Sequence, residues 1–256
     1  MSVERSGCAA VCIEGSVYVV GGYDGNEELK SAAVYDPSAG QWRSLPEMSV
    51  ERNECAAVCI EEKLYVVGGE DYYGALKSAE VYDASTRQWR ALPDMSTKRS
   101  GCATVCIEGK LCVVGGFDGF SDSALRNAEV YDPSTRQWRA LPDMRPERKC
   151  CAAVCIEGNV YVVGGAVDDE SALRSAEVHD ASVGEWRALP EMSVARTGCA
   201  VVGIEGKLYV VGGYNGTVPL ASVECDDPVA NEWRTLPRMS TARAFCAAAV
   251  GEMGAG

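Results

Sequence analysis

The residues of this chain best suited to chemistry are thirteen cysteines and a single histidine, His179. Most of the cysteines occur in Cys-x-x-x-Cys pairs such as Cys102 and Cys106. On a strand, a spacing of four places both sulfurs on one face about 13 Å apart. That separation is too large for a disulfide or a shared metal ion. We therefore interpret the pairs as small buried residues, and a thiol sensor at Cys150, which follows the cation of Lys149, is the alternative.

Other chemistry-bearing patterns are weak. A copper or zinc centre generally uses several imidazoles, and this sequence has one. It contains no nucleophile elbow, phosphate-binding loop or His-Glu-x-x-His motif. Asp168, Asp169 and Glu170 offer the oxygen ligands that Ca²⁺ accepts, but without the spacing of an EF-hand loop. We expect no catalytic residue, no metal and no cofactor.

These residues belong to a unit that recurs five times. Successive tryptophans are 47, 49, 48 and 47 residues apart, and a double glycine lies about twenty residues before each of them. A period of this length indicates a supersecondary unit that buries its apolar face against its neighbours. The tryptophans are Trp42, Trp89, Trp138, Trp186 and Trp233.

The third copy illustrates the strands of one unit. Alternating or continuous apolar runs predict strand A over residues 99–107, B over 111–116, C over 127–132 and D over 137–141. Four short antiparallel strands per unit are typical of a propeller blade. The sequence therefore predicts an all-β propeller with five four-stranded blades. Strand A occurs six times, first at residues 5–13 and last at 243–250, so we expect one of these two terminal copies to be an extra strand, with six blades as the less favoured alternative.

Length and charge set the class of the protein. Because the period runs through most of the chain, we expect one domain over residues 1–250 and a short tail at 251–256. A net charge of −13 argues against nucleic acid and against anionic membrane surfaces as partners. No secretory signal or long apolar run occurs, which predicts a cytoplasmic protein. The repeats span about residues 1–47, 48–94, 95–143, 144–191 and 192–238, with a partial sixth at 239–250.

One loop per unit accounts for the variation in the period. It joins strands B and C, at residues 23–28, 70–75, 117–124, 166–172 and 214–219. Insertions confined to one loop lie on one face of a repeat array, often the binding face, and the D-to-A linkers emerge on the same face. The five loops contain no lysine or arginine, and a field of one sign steers a basic partner. Their ten carboxylates are Asp24, Glu27, Glu28, Glu70, Asp71, Asp118, Asp122, Asp168, Asp169 and Glu170. Their aromatic residues are Tyr23, Tyr72, Tyr73, Phe117, Phe120 and Tyr214.

The repeated motifs resemble the kelch repeat. Each copy has an arginine at the start of strand A, a Leu/Val-Tyr-Val-Val-Gly-Gly run, a Glu-x-Tyr-Asp strand C and a Trp-x-x-Leu-x-x-Met strand D. The tight spacing is most similar to kelch-like adaptor proteins, in which the propeller holds the client of a cullin-type ubiquitin ligase. This sequence departs at Ala33, Cys112, His179 and Asp226.

The resemblance implies a client-binding site built from two positions in each copy. One position follows the strand-A arginine, and the other follows the double glycine. The first set is Ser6, Asn53, Ser100, Lys149 and Thr197. The second set is Tyr23, Glu70, Phe117, Ala166 and Tyr214. Adaptors of this kind that bind acidic clients have arginines at these positions. This chain has none there, so we expect a basic or mixed peptide.

These observations predict a non-enzymatic protein-interaction propeller, with Asp168 and Asp169 as part of the partner-binding face. The resemblance adds a role as the client-recognition part of a ubiquitin ligase. No BTB, BACK or F-box segment occurs in the sequence, so we expect any cullin contact to use a separate subunit or a region outside it. The alternatives are a kelch-propeller enzyme, such as a sugar epimerase or copper oxidase, and a calcium- or carbohydrate-binding propeller.

Overall fold

In the computed structural model, which describes residues 3–119 and 124–249, all regular secondary structure is β. The chain divides into two compact units, Met1–Leu141 and Pro142–Gly256. Unit 1 contains three four-stranded antiparallel sheets and unit 2 contains two, which confirms five propeller blades. Within the described ranges, no helix is long and apolar enough to cross a membrane.

Unit 1 contains blades 1 to 3. In each blade the chain adds strands A, B, C and D in sheet order, and blade 2 also carries a small hairpin between B and C. Blade 1 comprises β1 (Ala9–Ile13), β2 (Ser16–Val20), β3 (Ala32–Asp36) and β4 (Gln41–Ser44). Blade 2 comprises β5 (Ala56–Ile60), β6 (Lys63–Val67), the hairpin strands β7 (Glu70–Asp71) and β8 (Gly74–Ala75), β9 (Ala79–Asp83) and β10 (Gln88–Ala91). Blade 3 comprises β11 (Ala103–Ile107), β12 (Lys110–Val114), β13 (Ala128–Asp132) and β14 (Gln137–Leu141).

Unit 2 contains blades 4 and 5, which repeat the same sheet order. Blade 4 comprises β15 (Ala152–Ile156), β16 (Asn159–Val163), β17 (Ala176–Asp180) and β18 (Glu185–Ala188). Blade 5 comprises β19 (Ala200–Ile204), β20 (Lys207–Val211), β21 (Val223–Asp227) and β22 (Glu232–Leu236).

The core of each unit lies between neighbouring blades. Between blades 2 and 3, Val67 and Met95 pack with Leu111, Val113 and Tyr131, all of them buried. Strand B supplies most of this surface because both of its faces are covered, which explains its continuous apolar run. The blades therefore stabilise each other through side chains that one blade alone would expose.

The double glycine sits where strand B leaves this packed layer. In blade 2, Gly68 and Gly69 have φ of 58° and 89°, in the left-handed region that glycine adopts without strain. A Cβ atom on Gly68 would lie 2.2 Å from the backbone oxygen of Arg99 in the next blade. Only glycine allows the two backbones to come this close.

A buried arginine fastens each of blades 2 to 5 to the linker that enters it. In blade 3, Arg99 Nη1 donates to the carbonyls of Gly115 and Asn127 at 2.8 and 3.0 Å, and Nη2 donates to Glu129 Oε1 at 2.9 Å. The second carboxylate oxygen of Glu129 accepts the backbone N–H of Ser96, in the incoming linker, at 2.9 Å. We call this arrangement the Arg–Glu clasp. The other clasps join Arg52, Glu80 and Ser49; Arg148, Glu177 and Arg145; and Arg196, Glu224 and Ser193.

The clasp keeps its carboxylate ionised in a covered position. Burial alone would raise the pKa of Glu129, but the hydrogen bonds from Ser96 and Arg99 outweigh it and lower that pKa. Blade 1 is the exception. Arg5 still donates to the carbonyls of Gly21 and Ser31, but Ala33 stands where the other blades have glutamate.

The repeated tryptophan holds the same linker from the rim side. Trp138 packs against the core between blades 2 and 3, and its Nε1 donates to the carbonyl of Pro93 at 2.8 Å. The sequence did not predict this hydrogen bond. The equivalent bonds join Trp89 to Pro46, Trp186 to Pro142 and Trp233 to Pro190.

Two strand predictions need correction. Strand A of blade 3 begins at Ala103 and not at residue 99, because the Arg99 side chain enters the blade and Gly101 turns the backbone to φ +58°. The sixth strand A, predicted at residues 243–250, forms no strand over its described part, 243–249. Strand A normally pairs with the strand B that follows it, and the described chain holds no such strand there. Arg243 instead forms one bridge to Leu220.

Candidate partner-binding face

The structure brings the two predicted site positions together within each blade. The residue after the strand-A arginine and the residue after the double glycine form an isolated antiparallel bridge, with two backbone hydrogen bonds of 2.8–3.0 Å. We call these five sets the bridged pairs. They are Ser6–Tyr23, Asn53–Glu70 and Ser100–Phe117 in unit 1, and Lys149–Ala166 and Thr197–Tyr214 in unit 2.

Most side chains of the bridged pairs are open to solvent to some degree. Ser6 is exposed, and the others are half-buried except Ser100 and Ala166. Ser100 is only 2% exposed, so a partner cannot contact it directly. Its Oγ lies 3.3 Å from carboxylate oxygens of both Glu54 and Glu70, which makes it a residue that positions those two acids.

The residue after each bridged position links neighbouring blades, a role that the sequence did not reveal. Glu54 N donates to the carbonyl of Gly7 at 2.8 Å, and Gly101 N donates to that of Glu54 at 3.0 Å. All of these residues have left-handed backbones, which explains the recurrent glycine at this position. The same bonds in unit 2 run from Gly198 to Cys150 at 2.9 Å and from Phe245 to Gly198 at 2.7 Å.

Several B–C loop carboxylates have a structural task. Asp24 Oδ1 accepts the backbone N–H groups of Asn26 and Glu27, at 2.8 and 3.0 Å. Asp168 does the same in blade 4, and Asn215 takes this place in blade 5. An amide at an equivalent position signals a turn-forming residue, since Asp and Asn share this turn chemistry. The hydrogen bonds from Glu27 and Asn26 lower the pKa of Asp24, so the turn residue also stays charged.

Other acids of the B–C loops differ from these in their contacts. Asp169 forms a short salt bridge of 2.5 Å with Lys149, which compensates its charge within blade 4. Glu70 accepts a hydrogen bond from Asn53 Nδ2 at 3.2 Å. Asp122 and Phe120 lie outside the described residues.

The thiols are buried only in part, and the histidine is buried. Cys12 is exposed, seven cysteines are half-buried, and five are buried: Cys55, Cys112, Cys151, Cys199 and Cys225. Burial raises the pKa of Cys55 to about 11 and that of Cys199 to about 12, so these thiols stay protonated near neutral pH. His179 is 6% exposed, and its ring lies edge-on to Trp186 with centroids 5.1 Å apart. Burial also lowers the pKa of His179. Over residues 3–119 and 124–249, no group of three His, Cys, Asp or Glu side chains is placed to hold a metal ion.

Comparison with known proteins agrees with this geometry. The KLHDC2/KLHL20/DRC7 Kelch-repeats domain model matches residues 2–165, and the Kelch motif model matches residues 147–193 and 195–240. A solved structure titled "Structure of YjhT" has the same fold, with a TM-score of 0.83 over 96% of this chain and 88% of that chain, at 16% sequence identity. No curated protein matches the chain. The chain belongs to the kelch-repeat family of β-propellers, whose domains are generally protein-interaction modules.

Proposed function

We propose that this protein is a non-enzymatic interaction module that binds a protein or peptide of basic character. The binding surface of each unit comprises its bridged pairs and the B–C loops beside them, and we call these surfaces the partner face. The observation that carries the proposal is the bridge itself. In every blade it joins the two variable positions of the repeat and presents them at one end of a constant sheet.

The side chains of the partner face suit peptide recognition. Hydroxyl and amide groups at Ser6, Asn53 and Thr197 can pair with a peptide backbone, while the rings of Tyr23 and Tyr214 offer apolar contact. Tyrosine combines a large contact area with few rotatable bonds, so little conformational entropy is lost when it is ordered.

Charge favours a basic partner. The B–C loops contain no lysine or arginine, and the turn-forming Asp24 and Asp168 have lowered pKa values that keep them ionised. A surface of one sign raises the association rate of an oppositely charged partner. Lys149 offsets part of this charge in blade 4.

A role as client receptor of a cullin-type ubiquitin ligase is the more specific form of this proposal. Two findings support it: the match of residues 2–165 to the KLHDC2/KLHL20/DRC7 model and the resemblance of the repeat to kelch-like adaptors. We place the protein in the cytoplasm. Its thirteen cysteines are all free thiols, which suits a reducing compartment.

Affinity capture followed by mass spectrometry tests the proposal with matched variants. The double variant Tyr23→Ala/Tyr214→Ala removes one ring of the partner face from each unit. The control, Val183→Ala/Val229→Ala, removes exposed apolar groups from C–D turns, at the other end of the blades. We expect basic partners to be captured by the wild type and the control and lost with the tyrosine variant.

The outcomes separate the candidate functions. A cullin recovered together with one enriched client supports the ligase role, and a client without a cullin supports a simple interaction module. Capture that is equal for all three proteins would place binding elsewhere. Catalytic turnover by the purified chain would contradict the proposal as a whole.

A further inference from the structure

The B–C loop of blade 2 differs from the others in the residues at its tip. Strands β7 and β8 form a two-stranded hairpin whose turn is Tyr72–Tyr73. These tyrosines are 86% and 89% exposed, and their rings pack edge to face with centroids 5.3 Å apart. Both rings therefore project from the blade into solvent.

Turn formation does not explain two tyrosines here. Turn tips usually carry Gly, Asn, Asp, Ser or Pro, each for a known conformational reason. In blades 1, 3 and 5 the position equivalent to Tyr72 is Gly25, Gly119 or Gly216, each with a positive φ. Blade 2 replaces that glycine with a bulky ring that contributes nothing to the core. Large exposed aromatic groups of this kind are enriched where proteins bind partners.

The hairpin fixes the backbone that carries both rings in the absence of a partner. Asp71 Oδ1 accepts the backbone N–H of Tyr73 at 2.8 Å and closes the turn. At the base, Glu70 exchanges two backbone hydrogen bonds with Asn53, of 2.8 and 2.9 Å. A preorganised hairpin loses less conformational entropy on binding than a flexible loop does.

The charge around the hairpin identifies the partner. Glu70 and Asp71 belong to the hairpin strands, and Ser100 holds Glu54 and Glu70 on either side of its hydroxyl. Carboxylates attract cations, and the faces of tyrosine rings do so as well. The hairpin residues 70–75 themselves include no lysine or arginine.

We propose that the Tyr72–Tyr73 hairpin is the anchor point for an arginine- or lysine-bearing segment of the partner. This inference rests on the proposed function and narrows it to one blade and one chemistry. The partner's cationic side chain stacks on a tyrosine ring while the neighbouring carboxylates balance its charge. The equivalent loop of blade 5 offers the half-exposed Val218 and no carboxylate, so it lacks this combination.

The test begins with a random peptide display library selected against the wild-type chain. Enriched peptides are then synthesised and titrated into the wild type, Tyr72→Ala/Tyr73→Ala and the control Val229→Ala, an exposed residue of a C–D turn outside the partner face. None of these substitutions changes the net charge, so general Coulomb attraction is the same for all three proteins. Because the substituted side chains are exposed, we expect unchanged thermal unfolding.

We expect enriched peptides to contain arginine or lysine and to lose at least about 30-fold in affinity with the double tyrosine variant. Val229→Ala should change affinity by less than about 3-fold. Replacing the peptide's arginine with citrulline, which keeps the shape but not the charge, should weaken binding to the wild type by a larger factor than binding to the tyrosine variant, which keeps the carboxylates but not the rings.

Two results would overturn the inference while leaving the proposed function intact. Enriched peptides could lack basic residues, or basic peptides could bind the tyrosine variant as tightly as the wild type yet depend on Tyr23 or Tyr214. Failure of the library to yield any specific peptide would count against the proposed function and this inference together.

Discussion

In blades 2 to 5 the Arg–Glu clasp and the bridged pair lie a few residues apart, yet they differ in almost every physical respect. Arg99 is fully buried and the same clasp recurs in four blades, whereas Ser6 is exposed and its equivalents vary from blade to blade. Both regions use the start of the strand-A segment. The strand-A arginine turns its side chain into the sheet, and the residue after it forms the backbone bridge.

This difference shows how the propeller separates stability from recognition. The clasp fixes the backbone with charged groups that cannot be removed singly without leaving an unpaired partner. The bridge uses only backbone hydrogen bonds, so the side chains of the bridged pairs can change without loss of the link. Substitutions should therefore sort by region, with the largest loss of stability at the clasp, a smaller one at buried strand-C residues and the smallest at the bridged pairs.

The largest effect is expected for Arg99→Ala. The substitution leaves Glu129 buried without its charge partner, which should lower the free energy of unfolding by about 3–5 kcal/mol. Arg5→Ala is the matched control, because Arg5 makes the same carbonyl contacts without a carboxylate, and it should cost only about 1 kcal/mol. Urea unfolding followed by tryptophan fluorescence measures both. Equal losses would show that the carboxylate contributes little.

A smaller effect is expected at His179, which stands in strand C of blade 4 where blades 1 to 3 have tyrosine. Burial lowers its pKa below the ordinary value of 6.5, so at acidic pH the unfolded chain binds more protons than the folded one. Unfolding free energy should fall as pH drops through 6.5, and His179→Tyr should flatten that slope. Melting temperatures recorded from pH 5 to 7.5 for the wild type and the variant measure this pH dependence of stability.

Asp226, at the equivalent position of blade 5, provides the control with opposite sign. Burial raises its pKa, so the folded chain retains the proton and stability falls as pH rises. Asp226→Tyr should therefore leave the acid-side loss in place. If Asp226→Tyr removes the loss of stability at acidic pH to the same extent as His179→Tyr, then His179 is not the source of that loss.

The smallest effect on stability is expected at the bridged pairs. Ser6→Ala and Thr197→Ala remove hydroxyls while the backbone bridge stays, so each should change the free energy of unfolding by no more than about 0.5 kcal/mol. The same variants should still alter the affinity for a peptide partner. A loss comparable with that of Arg99→Ala would mean that the bridged pairs also belong to the scaffold.

The sequence was sufficient to predict the blades because periodicity and the double glycine report backbone constraints directly. It also showed that an arginine recurs at the start of strand A, and the clasps give the reason for that recurrence in blades 2 to 5. It could not predict where strand A begins, since Arg99 has the alternation of a strand but the following residues turn away.

The candidate site was harder to read for a different reason. The sequence of an acidic loop indicates its charge but not the partner of each acid. The turn role of Asp168 and the salt bridge of Asp169 were therefore visible only in the structure. Charge reversal at those two positions would disturb the loop as well as the field. Asn215 could have revealed the turn role, because an amide replaces the acid at the same place. Binding by the partner face itself stays a prediction.

The clasp also has a consequence for how such a chain lengthens. Glu129 and Trp138 both hold the linker that enters their own blade, so one period of sequence contains a linker and the groups that secure it. An in-frame duplication of that period would add a blade together with the glutamate and tryptophan that hold its linker. The number of blades can thus change in evolution in single steps, without any new contact having to arise first.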